Sequence, residues 1–225
     1  MRPLLRAVTT LAVAAALTAS SACAAFTSSD WSEPHPRPTP VGSLGAGFSV
    51  PTPAPEAVIT PAPGSWKDVH PSEDYRVVLL TTGHDAPTKA LVTAVKEWAA
   101  AEDADLRAVV ADGAHDLIPA ITRARSLKPD LIISAGNDLI DPLAIVSANH
   151  LDQQFLIVGA ELAEPTQNVT AVDWTGASFR GEGLGSASTY DPKSFTASRC
   201  AAAVRAGVAA VLHNLTGIVL WLDHY

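Results

Sequence analysis

Short apolar runs alternate with amphipathic segments through the second half of the chain, most clearly in residues 129–161. Residues 131–134 and 155–158 are apolar runs rich in β-branched side chains, each bounded by Pro or Gly. Neither run alternates with polar residues, which is typical of parallel strands covered by helices on both faces. Between them, Asp141 and Pro142 predict a helix start, because Asp caps helices and Pro fits the first turn.

The same alternation continues on both sides of this stretch. We predict strands at residues 75–82, 106–111, 131–134, 155–158, 169–173 and 217–222. We predict helices at residues 88–101, 116–124 and 197–213, and one that begins at Asp141. Residues 174–190 are rich in Gly and Ser and are predicted to be mostly loop. Residues 73–225 therefore predict an α/β fold, a doubly wound, Rossmann-like, mostly parallel sheet of about six strands.

The first 25 residues have the pattern of a secretory signal. Arg2 and Arg6 precede an apolar core at residues 7–17, and small residues follow. That core is too short to span a bilayer. Residues 20–23 (SSAC) resemble a bacterial lipoprotein signal, which predicts a lipid anchor on Cys23 and a position on the outer face of the cell membrane. Ordinary cleavage near Ala24, giving a secreted protein, is the alternative.

Residues 26–72 are rich in proline and small polar residues. Proline removes a backbone donor and stiffens the chain towards polyproline II, so this segment predicts a semi-rigid stalk between anchor and domain. Residues 50–59 could still add a short ordered piece. If Cys23 carries lipid, Cys200 is left as a small buried side chain on a helix.

Charge and motifs narrow the class of function. The net charge of −8 argues against nucleic acid or an anionic membrane surface as the main partner. Two cysteines make no disulfide framework. The histidines lack metal-ligand spacing, no Gly-x-Ser-x-Gly motif occurs, and residues 181–185 are one residue short of a dinucleotide fingerprint. The sequence therefore predicts no enzyme, no metal and no cofactor.

Polar residues gather where the predicted strands end, and ligands bind at that edge of open α/β sheets. The predicted ligand-binding residues are Thr82, His84, Asp85, Asn137, Asp138, Glu161, Asp173 and Trp174, with Asp112 nearby. Asn and Asp could hold a polyol through paired hydrogen bonds, and Trp174 could stack on a ring. The alternative is that Asp85, Asp116 and Asp141 are helix caps and that Trp174 packs in the core.

Three segments resemble the basic membrane protein (PnrA-like) family, the substrate-binding lipoproteins of ABC importers with a type I periplasmic-binding-protein fold. Residues 129–136 (PDLIISAG) are similar to that family's D-L-I-I-G-x-G strand, and residues 153–158 (QQFLIV) to its D-x-K-F-A-I-I-D strand. Residues 168–184 (NVTAVDWTGASFRGEGL) are similar to its N-V-x-x-x-x-F-x-x-x-E-G-x-x-L-A-G run, the most specific match. With residues 75–116, the resemblance covers about half of the chain.

The resemblance implies two lobes that close over a ligand, typically a purine nucleoside. Residues 196–222 supply only one further helix and strand, so the chain has one lobe, and residues 83–87 do not match the family's base-holding loop. We therefore expect binding of a small polar ligand at the carboxyl ends of the strands, and a nucleoside-like compound is one candidate. An ABC permease or a homodimer is the implied partner, because a single lobe offers half a cleft. The alternative is a non-transport interaction module of the cell envelope.

Overall fold

The computed structural model describes residues 30–49, 52–162, 164–180 and 190–225. The predicted signal and Cys23 lie outside the described residues. The strands are β1 Pro40–Val41, β2 Val58–Ile59, β3 His70–Pro71, β4 Arg76–Thr81, β5 Asp105–Val110, β6 Leu131–Ala135, β7 Gln154–Val158, β8 Ala160–Leu162, β9 Val169–Asp173, β10 Ser178–Arg180 and β11 Ile218–Trp221. The helices are α1 Ala86–Ala101, α2 Leu117–Ser126, α3 Ile140–Ala148 and α4 Ala197–Leu212.

A parallel sheet with the strand order β5-β4-β6-β7-β9-β11-β2 forms the centre of the domain. Strand β8 meets β9 antiparallel at Ala160 and Val172, and β10 runs parallel to β8. Side chains of the central strands alternate between two cores. Val77 and Leu79 pack with α1 and α4, whereas Val78 and Leu80 pack with α2 and α3. Helices thus cover both faces, and the predicted doubly wound α/β fold is confirmed.

The predicted strands and helices are all present, with boundaries shifted by at most two residues. Asp141 is not the cap of α3: the N-cap is Leu139, after a short 3-10 turn at Asn137–Leu139, and Asp141 lies in the first turn. A carboxylate there still suits the positive end of the helix dipole, which explains the helix-start signal. Strand β10 lies within the segment predicted as loop, and residues 181–189 lie outside the described ranges.

The Pro-rich segment packs against the domain wherever the structure describes it. Trp31, Phe48 and Trp66 are at most 5% exposed and belong to the two cores. Strand β1 pairs with β3, and β2 adds a parallel edge strand to β11. Residues 30–49 and 52–72 therefore do not form a stalk that extends away from the domain. The aromatic side chains in the segment supply the apolar area that its prolines and glycines lack.

Arg76, the first residue of β4, holds residues 30–35 against the amino end of the sheet. Its buried guanidinium donates to the backbone carbonyls of Trp31 at 3.3 Å and Glu33 at 3.0 Å. Asp130, directly before β6, accepts the Arg76 backbone N–H at 2.9 Å and lies 2.8 Å from Nε2 of His35. We call this set of contacts the amino-end clasp.

Trp31 completes the amino-end clasp at the next strand. Its indole N–H donates to the Asp105 carboxylate at 2.7 Å, at the start of β5. The Arg107 guanidinium lies 4.2 Å from the centre of the indole ring, a cation–π distance.

Among the described residues, no helix is both long and apolar enough to cross a membrane.

Replacing Trp31 by Ala tests whether the Pro-rich segment contributes to folding. Trp31→Ala should lower the free energy of unfolding by about 3 kcal/mol, as expected for truncation of a buried Trp. Urea unfolding followed by circular dichroism measures this change. Arg37→Ala, at an exposed position of the same segment, should change it by no more than about 0.5 kcal/mol. Equal stability of Trp31→Ala and the parent chain would contradict the packing role.

Candidate functional site

The carboxyl ends of β4, β6 and β7 enclose a small crevice, which we call the strand-end crevice. It holds a cavity of about 30 Å³, enough for roughly one water molecule. The chain passes from β4 to β5 on one side of β4 and then to β6 on its other side, so the strand order reverses beside β4. The crevice lies at this switch point, and ligands of open α/β sheets bind at such points. Its lining residues are Asp85, Pro87, Thr88, Leu91, Ser134, Gly136, Asn137, Ile140, Ile157, Val158, Gly159, Ala160, Ser178, Tyr190 and Phe195.

Ser134, the penultimate residue of β6, contributes a hydroxyl group to the crevice. It is 2% exposed, and its Oγ has no hydrogen-bond partner among the described residues. Two residues later, Gly136 has φ 135°, and a Cβ there would lie 2.8 Å from the Thr82 carbonyl oxygen. Only glycine permits this approach of the two strand ends, so Thr82 is buried behind the crevice rather than presented to a ligand.

Asp85 lies at the crevice mouth but acts as the N-cap of α1. Its carboxylate accepts hydrogen bonds from the Thr88 backbone N–H at 2.9 Å and from the Thr88 hydroxyl at 2.8 Å. The helix-cap alternative is therefore confirmed for Asp85, while its charge still faces the crevice. Partial burial, together with the charge of Asp85, raises the pKa of Tyr190 on the opposite side of the mouth.

The other polar residues of this edge are distributed differently from the prediction. Asn137 is exposed and lines the crevice, whereas Asp138 and His84 are exposed but do not line it. Asp116 stands at the N-cap position of α2 without a side-chain cap bond. Its carboxylate instead accepts from the Asp112 backbone N–H and from Arg123. Asp116 thus joins the strand end to the helix.

Trp174 is fully buried, which agrees with packing and not with a stacking platform. Its indole N–H donates to the Ser194 hydroxyl at 3.0 Å. Its ring meets Phe195 edge to face, with 5.0 Å between ring centres. Because Phe195 lines the crevice, Trp174 supports the crevice wall from behind. A Cβ on Gly159 would lie 2.5 Å from the Phe195 ring, so the glycine is needed for this packing.

Asp173, the last residue of β9, is a fully buried carboxyl group. One oxygen accepts the Trp174 backbone N–H at 2.9 Å, and the other has no partner among the described residues. Burial, together with the nearby charges of Glu161 and Asp223, raises the pKa of Asp173 to about 8. Burial also raises the pKa of Glu161. Asp173 is therefore largely protonated at neutral pH and belongs to the interior rather than to the ligand edge.

The prediction from sequence missed Ser134, Tyr190 and Phe195 as crevice residues. A polar residue at the end of an otherwise apolar run was the available signal for Ser134. No local pattern marks Tyr190 or Phe195, which come from a segment more than 50 residues further along the chain than Ser134. Among the residues that the structure describes, no three His, Cys, Asp or Glu side chains are grouped to hold a metal. The arrangement can bind a polar group, but the described residues offer Ser134 no base within hydrogen-bond distance.

The raised pKa of Asp173 predicts a pH-dependent stability. The folded state keeps the proton that the unfolded chain loses near pH 4, so this contribution is lost as pH rises from about 4 to about 8. Asp173→Asn should remove that loss, and its melting temperature relative to the parent should rise by about 5 °C or more between pH 5 and pH 8.5. Thermal unfolding at the two pH values measures this. Asp152→Asn, at an exposed position, should show no such rise. A constant difference between Asp173→Asn and the parent would contradict the buried proton.

Comparison with known proteins gives a fold likeness only. The sequence matches no protein-family model and no curated protein. It is similar to an ABC transporter solute-binding protein from Aeropyrum pernix K1 (19% identity, TM-score 0.41), over 45% of this chain and 29% of that one. A candidate lipoprotein fragment from Peptoclostridium difficile 630 is 17% identical with TM-score 0.45, over 61% and 98% of the two chains. A solute-binding protein of an ABC transporter system from Conexibacter woesei DSM 14684 is 19% identical with TM-score 0.35, over 44% and 35%.

The chain therefore spans about a third of the length of those two ABC solute-binding proteins. At these scores the likeness does not identify a ligand or a partner. The fold assignment rests on the sheet topology itself, and the resemblance to the basic membrane protein family stays a prediction.

Proposed function

We propose that the protein is a non-catalytic solute-binding protein of the cell envelope, similar to the substrate-binding component of an ABC importer. A small polar solute binds at the strand-end crevice, and a nucleoside-like compound is the more specific candidate. Lipid on Cys23 anchors the chain to the outer face of the membrane. The observation that carries the proposal is the buried, unpartnered hydroxyl of Ser134 at the switch point of the sheet.

The hydroxyl of Ser134 gives a solute a reason to bind. A buried hydroxyl without a partner costs about 1–3 kcal/mol, and a ligand that completes its hydrogen bond recovers that free energy. Asn137 adds an amide, with donor and acceptor, at the exposed mouth. Ile140, Ile157 and Phe195 supply apolar walls. A few convergent polar groups in an apolar setting are typical of small-molecule sites.

The size of the cavity limits what the described lobe can hold. A volume of about 30 Å³ admits one hydroxyl, amide or amino group of a solute, and the remainder lies against the mouth. Asp85 places a negative charge at that mouth, which favours a neutral or cationic group over an anion. A second wall, from a permease, another chain or a second copy, is needed to exclude water from the rest of the solute.

The same small volume favours one other candidate function, a protein-interaction module without a solute. Val110 and Tyr190, at the carboxyl edge of the sheet, are 54% and 48% exposed. Exposed apolar side chains at the edge that holds a shallow crevice also suit contact with a protein surface. The proposed solute site and this interaction site occupy the same edge, so their position does not distinguish the two functions. A binding experiment does, because it shows whether a small solute binds there.

Thermal shift with nucleosides, sugars and amino acids tests solute binding in the chain from Cys23 onward. A solute at 100 times its dissociation constant should add about 2.7 kcal/mol to the free energy of unfolding. In a domain of this size that raises the melting temperature by roughly 5 to 10 °C. Ser134→Ala should leave the free protein as stable as the parent or slightly more stable, because it removes an unpartnered hydroxyl. It should lower the affinity for the solute about tenfold, because the hydrogen bond to the solute is lost.

Ser147→Ala is the matched control, since Ser147 is also buried, its hydroxyl also lacks a partner among the described residues, and it lies away from the crevice. It should leave the solute affinity unchanged. If none of the nucleosides, sugars and amino acids raises the melting temperature of well-folded protein, solute binding is contradicted. Concentration-dependent self-association, reduced by Val110→Asp, would then support the interaction module.

A further inference from the structure

The amino-end clasp fixes the point at which the chain from Cys23 enters the domain. Residues 30–35 lie against the starts of β4, β5 and β6, through Arg76, Asp105 and Asp130. All three strands run parallel, so their carboxyl ends, and the strand-end crevice with them, lie at the opposite pole of the sheet. Entry point and crevice are thus separated by the full length of the strands and the turns beyond them.

The reach of the chain before the clasp is short. Seven peptide units join Cys23 to Asp30, and a fully extended chain of that length spans at most about 25 Å. A globular domain of this size is about 40 Å across. If the carboxyl edge faced a membrane that holds Cys23, residue 30 would lie about 40 Å from that membrane, farther than seven peptide units can reach.

We infer that an anchor on Cys23 holds the amino end of the sheet towards the membrane that carries the anchor, with the strand-end crevice turned away from that membrane. The second wall of the crevice is then supplied from the aqueous side. A permease embedded in the same membrane would then face the amino end of the sheet and not the strand-end crevice. This inference rests on the proposed anchor but not on solute binding.

Energy transfer to a membrane dye tests this orientation without any solute. Cys23 is coupled to a maleimide lipid in vesicles, and a donor dye is attached through an azide-bearing residue at Asp138 or at Asp152. Both positions are exposed: Asp138 follows β6, and Asp152 precedes β7, so the two lie at opposite ends of neighbouring strands. Cys200 does not compete for the maleimide, because it is fully buried and burial raises the pKa of its thiol to about 11.

The dye at Asp152 should show at least about twofold higher transfer efficiency than the dye at Asp138, since five-residue strands and their turns separate the two positions by about 20 Å. Equal transfer, or stronger transfer from Asp138, would overturn the inference. A flexible Gly/Ser insertion of about twelve residues before Asp30 leaves the described domain unchanged and should abolish the difference. A difference that survives the insertion would show that tether length does not set the orientation.

Release of the clasp gives a second, independent variant. In Trp31→Ala combined with His35→Ala and Arg76→Ala, the first fixed point becomes β1, seventeen peptide units from Cys23. That length reaches about 60 Å, so the difference in transfer should fall. Circular dichroism verifies that the variant is folded. A thermal-shift experiment in which no solute binds leaves the inferred orientation unaffected. An energy-transfer experiment that contradicts the orientation leaves the proposed solute binding unaffected.

Discussion

Burial of the central strands on both faces is the constraint on which the rest of the structure depends. Strands β4, β6, β7 and β9 are almost wholly buried, with α1 and α4 on one side and α2 and α3 on the other. Few positions along such strands tolerate polar side chains, because each must find a partner inside. Chemistry is therefore concentrated at the two ends of the sheet.

The amino end of the sheet uses its polar groups for folding. The Arg76 guanidinium donates to carbonyls of a segment that would otherwise lack partners for them, and the Asp130 carboxylate joins β4 to His35. A buried guanidinium is tolerated here because several acceptors surround it. The consequence is that the Pro-rich segment becomes part of the domain and fixes where the upstream chain is attached.

The carboxyl end of the sheet keeps polar groups with unused hydrogen-bonding capacity. Asp85 is engaged as a cap, but the Ser134 hydroxyl and one oxygen of Asp173 have no partners among the described residues. They differ in access, since Ser134 lines the crevice and Asp173 does not. Ser134 is thus available to a ligand, whereas Asp173 links the pH of the medium to stability. One sheet edge therefore holds both the unpartnered hydroxyl on which the proposed site depends and a structural proton.

The sequence by itself determined the order and type of the elements, because short apolar runs rich in β-branched residues and bounded by Pro or Gly are typical of strands covered on both faces. It also marked the strand ends as the polar edge, and Asp85 and Asn137 do lie at the crevice. Only the tertiary structure decided that Trp174 packs inside, that Asp173 is buried, and that Tyr190 and Phe195 reach the crevice. It likewise decided that a proline-rich segment folds back through Trp31 and Arg76. Those outcomes depend on contacts between residues far apart in the chain, which no local pattern encodes.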